Sequence, residues 1–396
     1  VADDLTGAMD AAVPFTRSGF RVQVLPDSTC LTESFADADV LSVTTNTRHC
    51  QADESRRIIT SMQPWLEKLQ PELIIKKIDS TLRGNVVQET KALNDIVRKN
   101  HVVVCPAVPA QNRLVKDGQV LVEGRLLAET IFVSDIRSPA PRQSLKALFE
   151  SQLPGWTIRS ESPADPILAI SSPEKRCLTI CDAGHEEDIL NIVRRRLRVY
   201  QDTLFVGASG LTCAMAQVLC DTNRRRAVDD WKTGGPLLFL IGSMAPATEK
   251  QLATLIKARE ITLFELKVEA SPDDGRLITF DKTVKNQIFV IKAPHTSAHA
   301  DDLNPELVLS ALAQSAVELA DGVHLSTIVV TGGDTAQALL SALDAKHVTV
   351  VGEIKQGVVF GRVTCVHGEY SLVTKAGAFG NADLFLDILE FFDNDS

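Results

Sequence analysis

Ile328-Val329-Val330 runs directly into Thr331-Gly332-Gly333-Asp334-Thr335 and then into Ala336, Leu339, Leu340 and Leu343. Three consecutive β-branched apolar residues read as a strand buried on both faces. The i, i+3, i+4, i+7 spacing that follows reads as an amphipathic helix, and the glycine pair is the turn between them. The same grammar recurs upstream: Leu237–Ile241, then Gly242-Ser243, then Pro246 and a helix carrying Leu252, Leu255 and Ile256. Further strand candidates are Val40–Thr44, Leu73–Ile78, Val102–Cys105, Leu178–Cys181, Leu204–Gly207, Thr262–Leu266, Ile288–Ile291 and Val348–Val351. Leu384, Phe385, Ile388, Leu389 and Phe392 mark a last helix. Strands alternating with helices predict an α/β fold built of largely parallel sheets flanked by helices.

A chain of 396 residues holds two or three domains at roughly 150 residues each. The break Asp229-Asp230-Trp231-Lys232-Thr233-Gly234-Gly235-Pro236 separates two sheets, so domains over residues 1–232 and 233–396 are expected. Lys and Arg number 41 against 51 Asp and Glu, a net charge of −10. Such a surface repels nucleic acid and anionic lipid. Arg194–Arg196 and Arg224–Arg226 read as solvated faces, with no interleaved aromatics. No apolar run is long enough to span a membrane, and no signal peptide is visible. The eight cysteines are scattered without a C-x-x-C, as for free thiols in a reducing compartment, so a cytoplasmic location is expected. The chain begins at Val1 without Met, and a strand is expected ahead of Ala2. Walker-A, G-x-G-x-x-G, H-E-x-x-H and G-x-S-x-G motifs are all missing. His295 and His299 lack metal-site partners.

Ligands of open α/β sheets bind at the carboxyl ends of strands, and polar motifs lie there. Ala2-Asp3-Asp4-Leu5-Thr6-Gly7 opens a helix; it is either a plain N-cap or a base and hydroxyl ligand. Lys76-Lys77-Ile78-Asp79-Ser80-Thr81-Leu82-Arg83-Gly84-Asn85 ends another strand. Alternation puts Lys77 and Asp79 on one face and Lys76 on the other. Thr44-Thr45-Asn46-Thr47-Arg48 ends a third. Basic, acidic and amide groups in this combination suit a polyhydroxylated anion. In the second half, Gly242-Ser243, Gly332-Gly333 and Lys375-Ala376-Gly377-Ala378-Phe379-Gly380 are three glycine turns, each leading into a helix. Exposed backbone N–H groups at such turns suit nucleotide phosphates.

Taken together, Ala2–Ala8, Lys76–Asn85, Thr331–Ala336 and Lys375–Gly380 resemble the four-carbon acid sugar kinase family. Cys105–Pro109 with Asn112-Arg113, Leu126–Thr130, Asp182-Ala183 and Gly207–Leu211 extend the resemblance over nearly the whole chain. The resemblance implies an N-terminal acid-sugar domain and a C-terminal nucleotide domain, with ATP phosphorylating threonate, erythronate or 3-oxo-tetronate. Substrate binding would fall to Asp3, Asp4, Arg48, Lys76, Lys77, Ile78, Asp79 and Arg83, with Asp4 or Asp79 catalytic. ATP would meet Ser243, Gly332, Gly333, Asp334, Thr335 and Gly377. Mg²⁺ would accompany ATP, with its protein ligands unassigned. The sequence departs from the family where Asp334 replaces a frequent Glu and Ala378 a frequent Gly. The expected reaction is phosphoryl transfer to the terminal hydroxyl of a four-carbon acid sugar, D-threonate favoured, with the two domains closing to exclude water. The expected partner is this small molecule, and homo-oligomerisation is left open. A non-catalytic sugar-acid sensor would need no phosphate turns, and a cofactor-linked oxidoreductase would need the absent dinucleotide fingerprint.

Overall fold

Apolar runs bounded by turns form the strands, and the computed structural model shows how they are ordered. It describes residues 1–31, 35, 37–135, 137–165, 176–199, 202–220, 235–266, 287–293 and 304–393. The chain divides into two units: Val1–Arg21 with Asp27–Arg226, and Val22–Pro26 with Ala227–Ser396.

In the first unit a five-stranded sheet runs Ile74–Lys77, Thr203–Gly207, His101–Cys105, Cys177–Cys181, Thr157–Glu161, every neighbouring pair parallel. Val102, Val103, Val104, Leu178, Ile180, Leu204, Phe205 and Val206 are fully buried. This is the two-sided burial that their unbroken apolar runs predict. The helix Leu5–Arg17 starts at Asp4, whose carboxylate accepts the Gly7 N–H at 2.8 Å. An antiparallel three-stranded sheet, Arg113–Lys116, Gln119–Val122 and Arg125–Leu126, follows the strand His101–Cys105. A cavity of about 580 Å³ runs beside Val40–Val43 and Ile74–Ile75, lined by apolar groups such as Phe15, Leu41 and Met215. Asp3, Asp4, Arg48, Asp79 and Arg83 do not line it.

In the second unit the strand order is Thr262–Glu265, Ile288–Lys292, Leu237–Ile241, Thr327–Thr331, Gly368–Lys375, Val358–Cys365, Val348–Lys355, Val22–Leu25. The first five run parallel; each of the last three is antiparallel to its neighbour. The last helix, Leu384–Asp393, buries Leu384, Phe385, Ile388, Leu389 and Phe392, the residues its period predicts. Phe385 packs on Phe239 with ring centroids 4.7 Å apart.

Two features differ from the sequence reading. Strand Val348–Val351 continues to Lys355 and turns into an antiparallel meander. The meander was hidden because Arg362, Thr364, Glu369 and Ser371 interrupt the apolar runs used to find strands. Val22–Leu25, inside the span expected for the first domain, joins the second unit's sheet through the pairs Val22–Val350 and Val24–Val348. The break at residues 229–234, the run Arg224–Arg226 and the pair His295 and His299 lie outside the described residues. No disulfide joins any of the eight cysteines, which all lie among the described residues. No helix among the described residues is long and apolar enough to cross a membrane.

Candidate functional site

Ala2 is the point on which the first unit's cluster turns. It bridges in parallel to Thr44 on one side and Lys77 on the other. The Ala2 N–H donates to Val43 O at 2.8 Å, and the Lys77 N–H donates to Val1 O at 2.8 Å. Three polar segments that are far apart in sequence are therefore drawn side by side around Ala2: Asp3–Asp4, Thr44–Arg48 and Ile78–Arg83.

Ion pairing organises this cluster. Arg48 grips Asp3 with two hydrogen bonds of 2.9 Å and also donates to Asp4. Arg83 grips Asp79 at 2.8 and 3.1 Å and reaches Asp135 at 3.3 Å. Thr81 donates its hydroxyl to Asp79 as well. Lys77 donates to Ile78 O at 3.3 Å and lies 3.9 Å from Asp10. Ile78 is itself buried core. Lys76 takes the opposite face, as alternation predicts, and pairs with Glu89 at 2.7 Å with both side chains buried.

The carboxylates differ in acidity. Burial raises Asp79, but the Arg83 hydrogen bonds, the charges of Arg48 and Arg83 and the Thr81 hydroxyl outweigh it and hold Asp79 far below the carboxylate range. Burial likewise opposes ionisation of Asp3, yet Arg48 and Lys76 keep it low. Burial pushes Asp4 up. Arg48 pulls it back, the neighbouring Asp3 charge adds to the rise, and the net direction is upward. A further guanidinium lies beside this cluster. Arg113, noted only within a longer motif, donates to Ser80 Oγ, and its guanidinium sits 5.8 Å from the Phe132 ring centroid. Phe132 also takes the Arg83 guanidinium, at 5.7 Å.

The second unit brings its glycine turns together because three parallel strands end level. Ile241 pairs with Thr331, and Thr331 pairs with Lys375. A Cβ on Gly377 would lie 1.9 Å from Ser243 Oγ, and one on Gly242 would lie 2.0 Å from Thr335 Oγ1. Gly377 is thus packed against Ser243 and Gly242 against Thr335, and glycine is needed for each approach. Gly332 has φ +98°, while Gly333 is the first residue of the helix Gly333–Ala342, which no side chain caps. The backbone conformation that excludes a side chain therefore falls at Gly332 rather than Gly333. Asp334 is exposed on the first turn. Lys375, buried at the end of its strand, donates to Gly377 O at 3.1 Å and Thr248 Oγ1 at 3.2 Å. Burial pushes its ammonium down to about 8.

Residues 1–215 match the model of a sugar-binding N-terminal domain, and residues 238–385 match that of a nucleotide-binding C-terminal domain. The chain belongs to the four-carbon acid sugar kinase family. It is thus a member of a family of phosphotransferases that act on acid sugars. It is 25% identical over 425 residues to the D-threonate kinase of Salmonella typhimurium LT2, covering 99% of this chain and 97% of that protein. It is 26% identical over 415 residues to the 3-oxo-tetronate kinase of Pseudomonas fluorescens Pf-5, covering 97% and 94%. A crystal structure of a Salmonella typhimurium LT2 protein shares the fold, with a TM-score of 0.80 at 22% identity over 99% of this chain and 98% of that one.

A branched side chain at Gly332 tests the turn of this family kinase directly. Gly332→Val forces φ +98° on a β-branched residue, at a cost of about 1–3 kcal/mol. We expect ADP affinity to fall about 5- to 150-fold, the range that about 1–3 kcal/mol spans, with acid-sugar affinity kept. Titration calorimetry with each ligand checks this. Loss of both affinities with a native far-UV spectrum would mean that the turn is not dedicated to phosphate.

Proposed function

We propose that the protein is an ATP-dependent kinase that phosphorylates the terminal hydroxyl of a four-carbon acid sugar, D-threonate first among them. Acid-sugar binding is assigned to the cluster of the first unit and ATP binding to the glycine turns of the second. The observation that carries the reading is the divergence of two carboxylates in one cluster. Asp79 is locked as an anion by Arg83, whereas burial pushes Asp4 up towards a useful base. Titratable groups driven apart in this way point to acid–base assignments. D-threonate is favoured by the name of the Salmonella relative; the Pseudomonas relative makes 3-oxo-tetronate the second choice.

In this reading Asp4 orients the substrate hydroxyl and accepts its proton late in an in-line transfer, while Asp79 positions Arg83. Phosphoryl transfer depends mostly on positioning and charge neutralisation, and the cations around the cluster supply both. Backbone N–H groups at Gly332–Thr335, together with Ser243 and Gly377, cradle the nucleotide phosphates. Among the described residues no group of three or more His, Cys, Asp or Glu is placed to hold a metal ion. Mg²⁺ would enter with the nucleotide as its counter-ion, with Asp334 able to reach it through water. It would neutralise charge on the phosphates.

The test is ATP consumption with D-threonate, L-threonate, D-erythronate and 3-oxo-tetronate. The expected result is stoichiometric ADP and a 4-phosphorylated product with at least one acid, strongest for D-threonate. ADP release that does not depend on any of the acids would sink the assignment.

A further inference from the structure

The cations of the first unit's cluster are not equivalent. Arg48 has both edges occupied by Asp3 and Asp4, Arg83 is forked onto Asp79, and Lys76 is closed off with Glu89. Arg113 stands apart. Asn112, at φ 52°, turns the chain so that Arg113 opens the strand Arg113–Lys116. Its guanidinium is held by Ser80 Oγ and by the face of Phe132, and no carboxylate among the described residues pairs with it. It is partly withdrawn from water beside a second guanidinium on the same ring. Burial disfavours its cationic form most; the Asp79 charge opposes this, the Arg83 charge adds to it, and Asp10 and Glu123 oppose it more weakly. A guanidinium held by a hydroxyl and an aromatic face, partly desolvated and in no direct ion pair among the described residues, has its fork open to an external anion. The planar fork matches a carboxylate.

We propose that Arg113, oriented by Ser80 and Phe132, is the residue that binds the carboxylate of the acid sugar and so selects acids over neutral sugar alcohols. This rests on the acid-sugar kinase reading above. Ser80, which accepts from Arg113, keeps its own hydroxyl proton to donate to the same carboxylate or to a neighbouring substrate hydroxyl. Arg48 and Arg83 then hold the protein's own carboxylates in place and do not bind the substrate carboxylate.

The experiment is titration calorimetry on the full chain, as wild type, Arg113→Ala and Arg113→Lys, with D-threonate, D-erythronate, neutral threitol and ADP. In Arg113→Ala the dissociation constants of the acids should rise about 10- to 100-fold, as for loss of a charge-assisted contact. The preference for acid over threitol should collapse and ADP affinity should stay unchanged. Arg113→Lys keeps the charge without the fork and should fall between the two. The proposal is overturned if the Ala variant, native by circular dichroism, binds the acids within about twofold of wild type. Equal loss of threitol, loss of ADP affinity instead, or failure of wild type to bind either acid overturns it too. Acids that bind through Arg113 but are not phosphorylated would count against the kinase reading alone.

Discussion

Asp4→Asn should lower kcat about 10²- to 10⁴-fold, the usual contribution of a general base, and leave KM for ATP and for the acid within a few-fold. Asn is nearly isosteric and caps helices as well as Asp does. The Gly7 N–H should keep its acceptor and the helix Leu5–Arg17 its start. Arg48 keeps its two bonds to Asp3, so the cluster should hold together while the proton acceptor is gone. The wild-type enzyme should also lose kcat as pH falls through the raised value of Asp4, because protonation removes the base. That acid limb should vanish in the variant. Asp79→Asn is the control. It breaks the Arg83 fork and should act on acid KM and stability more than on kcat. Steady-state kinetics of both variants across pH decide the matter. A kcat collapse in Asp79→Asn with a near-normal Asp4→Asn would reverse the two roles.

Glu89→Leu should destabilise the protein by about 3–5 kcal/mol, the cost of leaving one partner of a buried ion pair uncompensated. Lys76 is wholly inaccessible and Glu89 nearly so. The lone ammonium would keep only its 3.1 Å bond to Lys77 O. Adding Lys76→Met removes the stranded charge, and much of the loss should return, since apolar replacements of buried pairs are often neutral or better. Urea unfolding of the two single variants and the double variant measures the coupling. A single-variant loss below about 1 kcal/mol, the range of an exposed pair, would show that water reaches Lys76. Acid-sugar affinity is informative as well. If the double variant folds stably yet binds no acid, Lys76 belongs to the binding site and not only to the core.

Burial symmetry decides what could be read from the sequence. Strands such as Val102–Cys105, Leu204–Gly207 and Leu237–Ile241 are covered on both faces, so their apolar runs are unbroken and stand out. Val22–Leu25 carries Gln23 at its centre, and the meander alternates polar with apolar, so neither reaches that criterion. At the site, the strand-end rule finds Asp3, Asp4, Arg48, Asp79 and Arg83, and the structure brings them together. Which cation is already paired is not legible, because Arg48 meets Asp3 across 45 positions and Arg113 meets Ser80 across 33. Glu89 escapes notice because a carboxylate in a helix usually faces water. Arg113 follows an irregular path through Pro106 and Pro109 that has no period to read. At Gly332-Gly333 the residue types are legible, but which of the two glycines takes the positive φ is not.

The placement of Val22–Leu25 beside Val348–Lys355 has a consequence for how the polypeptide is made. A ribosome releases the first unit early, and domains tend to fold as they emerge. Yet residues 22–26 have one sheet partner, Val348–Lys355, near the other terminus. That pairing cannot form until almost all of the chain is synthesised, and such distant pairings form slowly. A C-terminal fragment cut near residue 235 would lack it and would present Val348–Lys355 as an open sheet edge, a template for self-association. A piece that behaves as an independent module needs residues 22–26 supplied in trans or spliced onto it.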